Sequence, residues 1–295
     1  MNTAVPTSNL SPEQQQQYQE QGYLVVSGLF FDAEVEFFKK HYEAMRLREV
    51  TPQNAANQSL NNALSDASFQ THDPLLTYPR LMQPHYRDDA SLRWLLDARI
   101  NGCLTALLGR EPYAVQTMFY FKPPGARGQA LHQDQFYLRV QPGTCMAAWM
   151  AVDDCDENNG CLRVVPGSHT WPVLCTVEAD TDQSFTDVTV DLPAGQDAVP
   201  VIMNAGDVLF FNGQLVHGSL PNKTSDHFRR ALIGHYIVGE AEKVYKWYHP
   251  ALHMDGSEVK LGTSEVGGTC GTWKNQDGSS SLELQMEMVD RSIFG

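Results

Sequence analysis

A chain of 295 residues with 42% apolar content can bury a sizeable core, as one large domain or two small ones. Its 35 acidic against 21 basic residues, a formal net charge of −14, argue against nucleic acid or an anionic membrane as a partner, because both reward basic patches. The opening residues show neither the basic nor the apolar region of a secretory leader, and no run approaches the ~18 consecutive apolar residues of a membrane span. The six cysteines form no CxxC pair and no regular framework, so we read them as reduced thiols of a cytoplasmic protein.

In chain order, "SPEQQQQYQEQG" reads as a capped helix, with Ser11 as N-cap, Pro12 at the first helical position and Gly22 as the stop. "GYLVVSGLF" is a short β-rich run, and "DAEVEFFKKHYEAMRLRE" places apolar residues at helical spacing. Residues 50–75 are amide-rich and weakly periodic, the composition of a long loop or lid. "SLRWLLDARINGCLTALLG" reads as one further amphipathic helix ended by Gly109. From about residue 112 the pattern changes to short β-rich runs separated by turn residues: "YAVQTMFYFK", "LHQDQFYLRV", "CMAAWMAVDD", "GCLRVVPGS", "DVLFFN", "LVHGSL" and "RRALIGHYIV". Such a series argues for a β-sandwich or barrel rather than βαβ units. We therefore expect a single domain over 1–295: a largely helical part over 1–110, a double-sheet β core over 112–250, and a Gly/Ser-rich extension over 252–295.

Alternate residues of a strand share a face, so His132 and Asp134 of "ALHQDQFYL" would converge, with Gln133 facing away. One imidazole and one carboxylate are two-thirds of the facial triad that holds Fe(II) and leaves positions open. The pair alone is weak evidence, because it occurs by chance in many chains, and a polar strand edge is the commoner reading. A third nitrogen ligand is available in His217, after the turn and strand of "GDVLFFNGQLVHGS". Arg229 lies twelve residues further on in an apolar run, where an arginine is costly to bury unless it holds an anion. Its neighbour Arg230 would face the other side of the strand. Of the remaining histidines, His169 reads as structural, His227 as exposed, and His235 as a satisfied core residue with the strand parity of Arg229. "DDCDENNG" lacks EF-hand spacing and reads as a turn.

Four segments, taken in order and spacing, resemble the phytanoyl-CoA dioxygenase family of Fe(II)/2-oxoglutarate-dependent oxygenases. They are "HQD" at 132–134, "AAWMAVDDCDENNGCLRVVPGSH" at 147–169, "GDVLFFNGQLVHGS" at 206–219 and "FRRALIGHY" at 228–236. The resemblance spans roughly residues 11–250 and implies a mainly β fold with helical additions, a double-stranded β-helix (jelly roll, cupin-like) core. It implies Fe(II) held by His132, Asp134 and His217, with 2-oxoglutarate as cosubstrate and O2 as oxidant. Arg229, assisted by Ser219, would take the distal carboxylate of 2-oxoglutarate. Trp149 would line that pocket, and Gln116 and Tyr120, evenly spaced on one strand, would contact cosubstrate or substrate. Gln135, Phe136 and Tyr137 adjoin the metal pair and are candidates for contact with a small-molecule substrate.

Within this chemistry hydroxylation is the default, and desaturation, ring closure or epimerisation would use the same residues. Halogenation is disfavoured, since related halogenases lose the carboxylate that Asp134 supplies. Two readings from other classes stay open. A zinc-dependent hydrolase or cupin-like isomerase would use the same three ligands but leave Arg229 unexplained. A non-catalytic β-sandwich binding module would leave the ordered motifs unexplained.

Overall fold

Ser11 starts the first helix, Pro12–Gln21, by accepting from the backbone N–H of Gln14 while the Gln14 side chain accepts from Ser11 N at 2.9 Å. That capping box satisfies two otherwise orphaned donors, and the helix ends at Gly22 with φ 79°. The computed structural model describes residues 10–49 and 73–264, with short pieces at 269–270, 273–274, 283–284 and 287–288. All but the last three residues of the expected lid over 50–75 lie outside the described residues. The second helix is Asp32–Glu49. The segment read as one helix ended by Gly109 is two, Asp89–Leu95 and Ala98–Leu108. Asp97 separates them: its carboxylate accepts from Arg99 N at 2.8 Å and so caps a new helix rather than continuing the old one.

The strands that build the core are β1 (Tyr23–Val26), β2 (Leu81–Met82), β3 (Tyr113–Tyr120), β4 (Gln129–His132), β5 (Cys145–Ala151) and β6 (Leu162–Val164). They continue with β7 (Thr176–Glu178), β8 (Val188–Val190), β9 (Val199–Pro200), β10 (Val208–Asn212), β11 (His217–Ser219) and β12 (Ala231–Ile237). The larger sheet runs β1-β10-β5-β12-β3 and extends through Ala251–Leu252 and Glu258–Val259; the smaller runs β4-β11-β6-β9. The helical N-terminal part thus contributes an edge strand to the core, since β1 pairs antiparallel with β10.

Period-two alternation decides which side chains meet. Met146, Ala148, Met150, Phe210, Leu232 and Tyr236 pack beneath the helices with Tyr42 and Trp94. The alternate set, Ala147, Trp149, Leu209, Phe211 and Ile233, faces Leu162 and Val164 of the smaller sheet. This is the jelly-roll arrangement expected, and it fixes which residues can enter the space between the sheets. On the helical side Tyr42 stacks on Phe119 with ring centroids 4.1 Å apart. Truncating such a buried aromatic to alanine costs about 3–5 kcal/mol.

His85 couples this packing to pH. It is 5% exposed, its Nδ1 lies 2.7 Å from Thr117 Oγ1, and burial followed by the nearby Arg87 charge pushes it down to about 4. The unfolded chain therefore binds this proton more readily, so stability is constant above ~6.5 and is lost as pH falls from there toward about 4. Thermal melts of His85→Gln are expected to lose less stability than wild type across that window, with no difference in slope above pH 7.

The cysteine expectation needs correction. Cys175 and Cys270, 95 residues apart, form a disulfide, while Cys103, Cys145, Cys155 and Cys161 are free and buried. Pairing at that separation depends on the folded chain bringing two distant segments together, which no local spacing reveals. Among the described residues no helix is long and apolar enough to cross a membrane.

Candidate active site

β4 and β11 are antiparallel neighbours in the smaller sheet, and His132 sits directly opposite His217. Their rings approach to 4.2 Å between centroids, and Phe211 of the larger sheet packs 4.5 Å from His217. His132 is the last residue of its strand. The chain then turns, and Asp134 precedes a helical turn, Gln135–Leu138, with its own backbone at φ −64°, ψ −30°. "LHQDQFYLRV" is therefore not one strand; the convergence of His132 and Asp134 arises at a strand-to-helix junction. Gln133 does point elsewhere: its amide accepts from Leu174 N at 2.7 Å and donates to Gln214 O at 2.7 Å.

Asp134 Oδ1 lies 3.5 Å from His132 Nε2 and 3.7 Å from His217 Nε2. One donor atom from each residue falls within 4.8 Å of the others, and all three residues are buried. The tautomers suit metal binding. His132 Nδ1 donates to Ala130 O at 2.8 Å and His217 Nδ1 to Leu215 O at 3.0 Å, so both rings turn an Nε2 lone pair inward. At His132 that lone pair accepts from the Gln129 amide at 3.1 Å. Burial, with His132 adding to it, pushes His217 down to about 4, so its ring is neutral near pH 7. Burial alone would raise Asp134, but the imidazoles of His217 and His235, with the hydrogen bond from His235, outweigh it and hold the carboxyl well below the usual range.

A second cluster is cationic. Arg229, 2% exposed, gives Nε to Gly160 O at 3.1 Å, places Nη2 3.5 Å from Ser219 Oγ, and lies over the Trp149 ring at 5.3 Å. Its Nη1 is buried with no hydrogen-bond partner among the described residues. Arg230, in contrast, pairs with Asp153 at 2.7 Å. Lys122, 5% exposed, stands in the sequence only as the end of the β-rich run "YAVQTMFYFK". Its Nζ donates to Gly160 O at 2.9 Å, to Ser219 Oγ at 3.0 Å and to Leu220 O. Burial, then the Arg229 charge, pushes Lys122 well below the usual lysine range.

Gly160, the glycine of "NNGCL", makes this possible. Its φ is 76°, and a Cβ there would meet Leu220 O at 2.4 Å and Lys122 Nζ at 2.8 Å. Ser219 Oγ accepts from Lys122 at 3.0 Å and from Gln129 N at 3.2 Å, which uses both of its lone pairs; Arg229 Nη2 stands further off at 3.5 Å, and the hydroxyl proton is left to donate. Two buried cations without a carboxylate beside them are expensive unless an anion joins them.

The other expected residues separate. Tyr120 has its hydroxyl 3.5 Å from Arg80 Nη1, and Arg80 lies over Phe185 at 4.5 Å. Gln116 has one end of its side-chain amide 2.8 Å from His235 Nδ1. Gln135 is turned away, donating to Val140 O at 2.9 Å and Gly143 O at 3.2 Å, because it opens a helical turn that packs on the following loop. Phe136 and Tyr137 line a cleft beside His132 with Leu174, Thr176 and Val188. His169 braces Gln19 O at 3.1 Å, and His227 is exposed, as read.

A family model for phytanoyl-CoA dioxygenase (PhyH) matches residues 18–231. The chain belongs to the phytanoyl-CoA dioxygenase family. A bovine relative, the peroxisomal phytanoyl-CoA dioxygenase of Bos taurus, is 29% identical over 238 residues, 77% of this chain and 68% of that one. Among solved structures, EvdO2 from Micromonospora carbonacea var. aurantiaca, complexed with 2-oxoglutarate, superposes with TM-score 0.61 at 21% identity, covering 79% of this chain and 93% of that one. The epimerase SnoN, in complex with Fe3+, alpha ketoglutarate and nogalamycin RO, gives TM-score 0.58 at 20% identity, covering 86% and 95%. These two show the jelly-roll fold. As a phytanoyl-CoA dioxygenase family member the protein is an Fe(II)/2-oxoglutarate-dependent oxygenase. The residues present fit both groups: two imidazoles with Nδ1 tied off and one carboxylate for iron, and an orphaned buried guanidinium nitrogen for a carboxylate.

Proposed function

We propose that the protein hydroxylates an unactivated C–H bond of a small, neutral or cationic metabolite, converting O2 and 2-oxoglutarate to the new hydroxyl, succinate and CO2. The observation that carries this is the unpartnered Nη1 of a fully buried arginine, beside a serine two residues beyond His217. A zinc hydrolase or a binding module has no need of it. His132, Asp134 and His217 would hold Fe(II), and the iron with its cosubstrate supplies the activation of dioxygen.

The chain's own groups orient and shield. Arg229 and the Ser219 hydroxyl take the distal carboxylate of 2-oxoglutarate, while Lys122 and Gly160 O keep Ser219 and Arg229 in place. Trp149 and Phe211 exclude water along the wall between these clusters, which strengthens each charged contact. Phe136 and Tyr137 put aromatic side chains beside His132, which suits a weakly polar molecule there better than a charged one. The deficit of positive charge over the whole chain weighs against an anionic one.

A metabolite panel scored for substrate-triggered succinate tests this. The expected hit releases succinate and yields a product that gains one oxygen atom. A product that loses two hydrogens, or keeps its mass, would replace hydroxylation by desaturation, ring closure or epimerisation. Lys122→Met tests the anion pocket. It leaves buried acceptors unsatisfied, about 1–3 kcal/mol, and calorimetry is expected to show 2-oxoglutarate binding weakened roughly 10-fold with metal uptake intact.

A further inference from the structure

His235 is buried, on β12, six residues beyond Arg229, which lies just before that strand with the same parity. Its Nε2 lies 3.0 Å from Asp134 Oδ2, and its Nδ1 lies 2.8 Å from the Gln116 side chain. Gln116 and His235 are cross-strand partners, beside the one register shift between β3 and β12. An ionised carboxylate only accepts, so the proton of the Asp134 contact belongs to His235 Nε2; with the ring's one proton there, Nδ1 takes its hydrogen bond from the Gln116 amide, whose NH2 and carbonyl ends interchange by a half-turn. The two oxygens of Asp134 are thereby divided: Oδ1 faces His132 and His217, and Oδ2 is taken by His235.

We propose that His235, braced by Gln116, is a positioning residue that holds Asp134 as a one-oxygen metal ligand. With Oδ2 occupied, the carboxylate cannot rotate to give both oxygens to one ion, which leaves a coordination position free for cosubstrate or O2. β12 and the residues leading into it then set two things, the cosubstrate clamp through Arg229 and the carboxylate ligand through His235. This deepens the metal-site reading and rests on it. It also gives Gln116 a part other than direct contact with cosubstrate.

The test is anaerobic titration of the full chain with Co(II), followed by visible absorption, which reads affinity and coordination number without turnover. Uptake by wild type comes first; a wild-type protein that takes up no cobalt overturns the metal-site reading itself and this proposal with it. Given uptake, His235→Ala is expected to weaken cobalt affinity about 10–100-fold, the loss usual for an outer partner of a ligand, and to alter the spectrum toward higher coordination. His235→Gln, whose amide can still donate to Oδ2, should recover most of both, and Gln116→Leu should fall between. His227→Ala, an exposed histidine, is the unchanged control. Affinity and spectrum within twofold of wild type in both His235→Ala and Gln116→Leu would overturn the proposal. Should His235→Ala fail to fold, Gln116→Leu decides alone: a threefold or greater weakening supports the brace, and an unchanged affinity overturns it.

Discussion

Alanine at His132 is expected to abolish iron-dependent 2-oxoglutarate turnover, with a fall of well over ~100-fold, beyond what loss of an outer partner produces. The ring supplies one of only two imidazole nitrogens in the cluster, and its Nδ1 contact to Ala130 O fixes which nitrogen is offered. Water could fill the position but would not restore the fit of the remaining pair. Fold stability should suffer little, because the deletion also relieves two imidazoles packed against each other at 4.2 Å. A melt within a few degrees of wild type, with Fe(II) uptake lost by equilibrium dialysis, is the expected pair of results. Retained uptake at wild-type affinity would place the metal elsewhere.

Alanine at Arg229 should act on the cosubstrate and not on the metal. Removing one partner of a buried, hydrogen-bonded charge pair costs about 2–5 kcal/mol, some 30-fold or more in affinity. The KM for 2-oxoglutarate should rise accordingly while Fe(II) affinity holds. Arg229→Lys should rescue poorly, since an ammonium lacks the planar fork that meets a carboxylate with two bonds. Arg230→Ala is the matched comparison. It loses the contact to Asp153, a partly exposed pair worth at most about 1 kcal/mol, and should leave 2-oxoglutarate binding within twofold. Equal losses in the two alanine variants would mean that the buried guanidinium is not the clamp.

The parts of the site that were legible in the sequence are those where chemistry restricts residue type. Metal ligands must be His, Asp or a few others, so His132, Asp134 and His217 stood out as candidates, and an arginine pair beside an apolar run did the same for Arg229. Lys122 stayed hidden because a lysine before Pro-Pro-Gly looks exposed. Only the fold brings the carbonyls of Gly160 and Leu220 around it. His235 had visible parity but no visible partner, since Asp134 is about 100 residues away in sequence. Gln135 misled for the opposite reason: adjacency to a ligand suggested contact, and the helical turn rotates it outward. The helix break at Asp97 could have been found, because an aspartate two residues before Arg99 is a cap signal inside the apolar pattern.

The most direct measurement is the visible spectrum of the purified protein under anaerobic conditions, with Fe(II) and then 2-oxoglutarate added. A metal-to-ligand charge-transfer band should grow with saturation in 2-oxoglutarate and be absent in His132→Ala. Iron-loaded wild type that shows no band at any 2-oxoglutarate concentration would contradict the assignment of this cluster as the oxygenase centre.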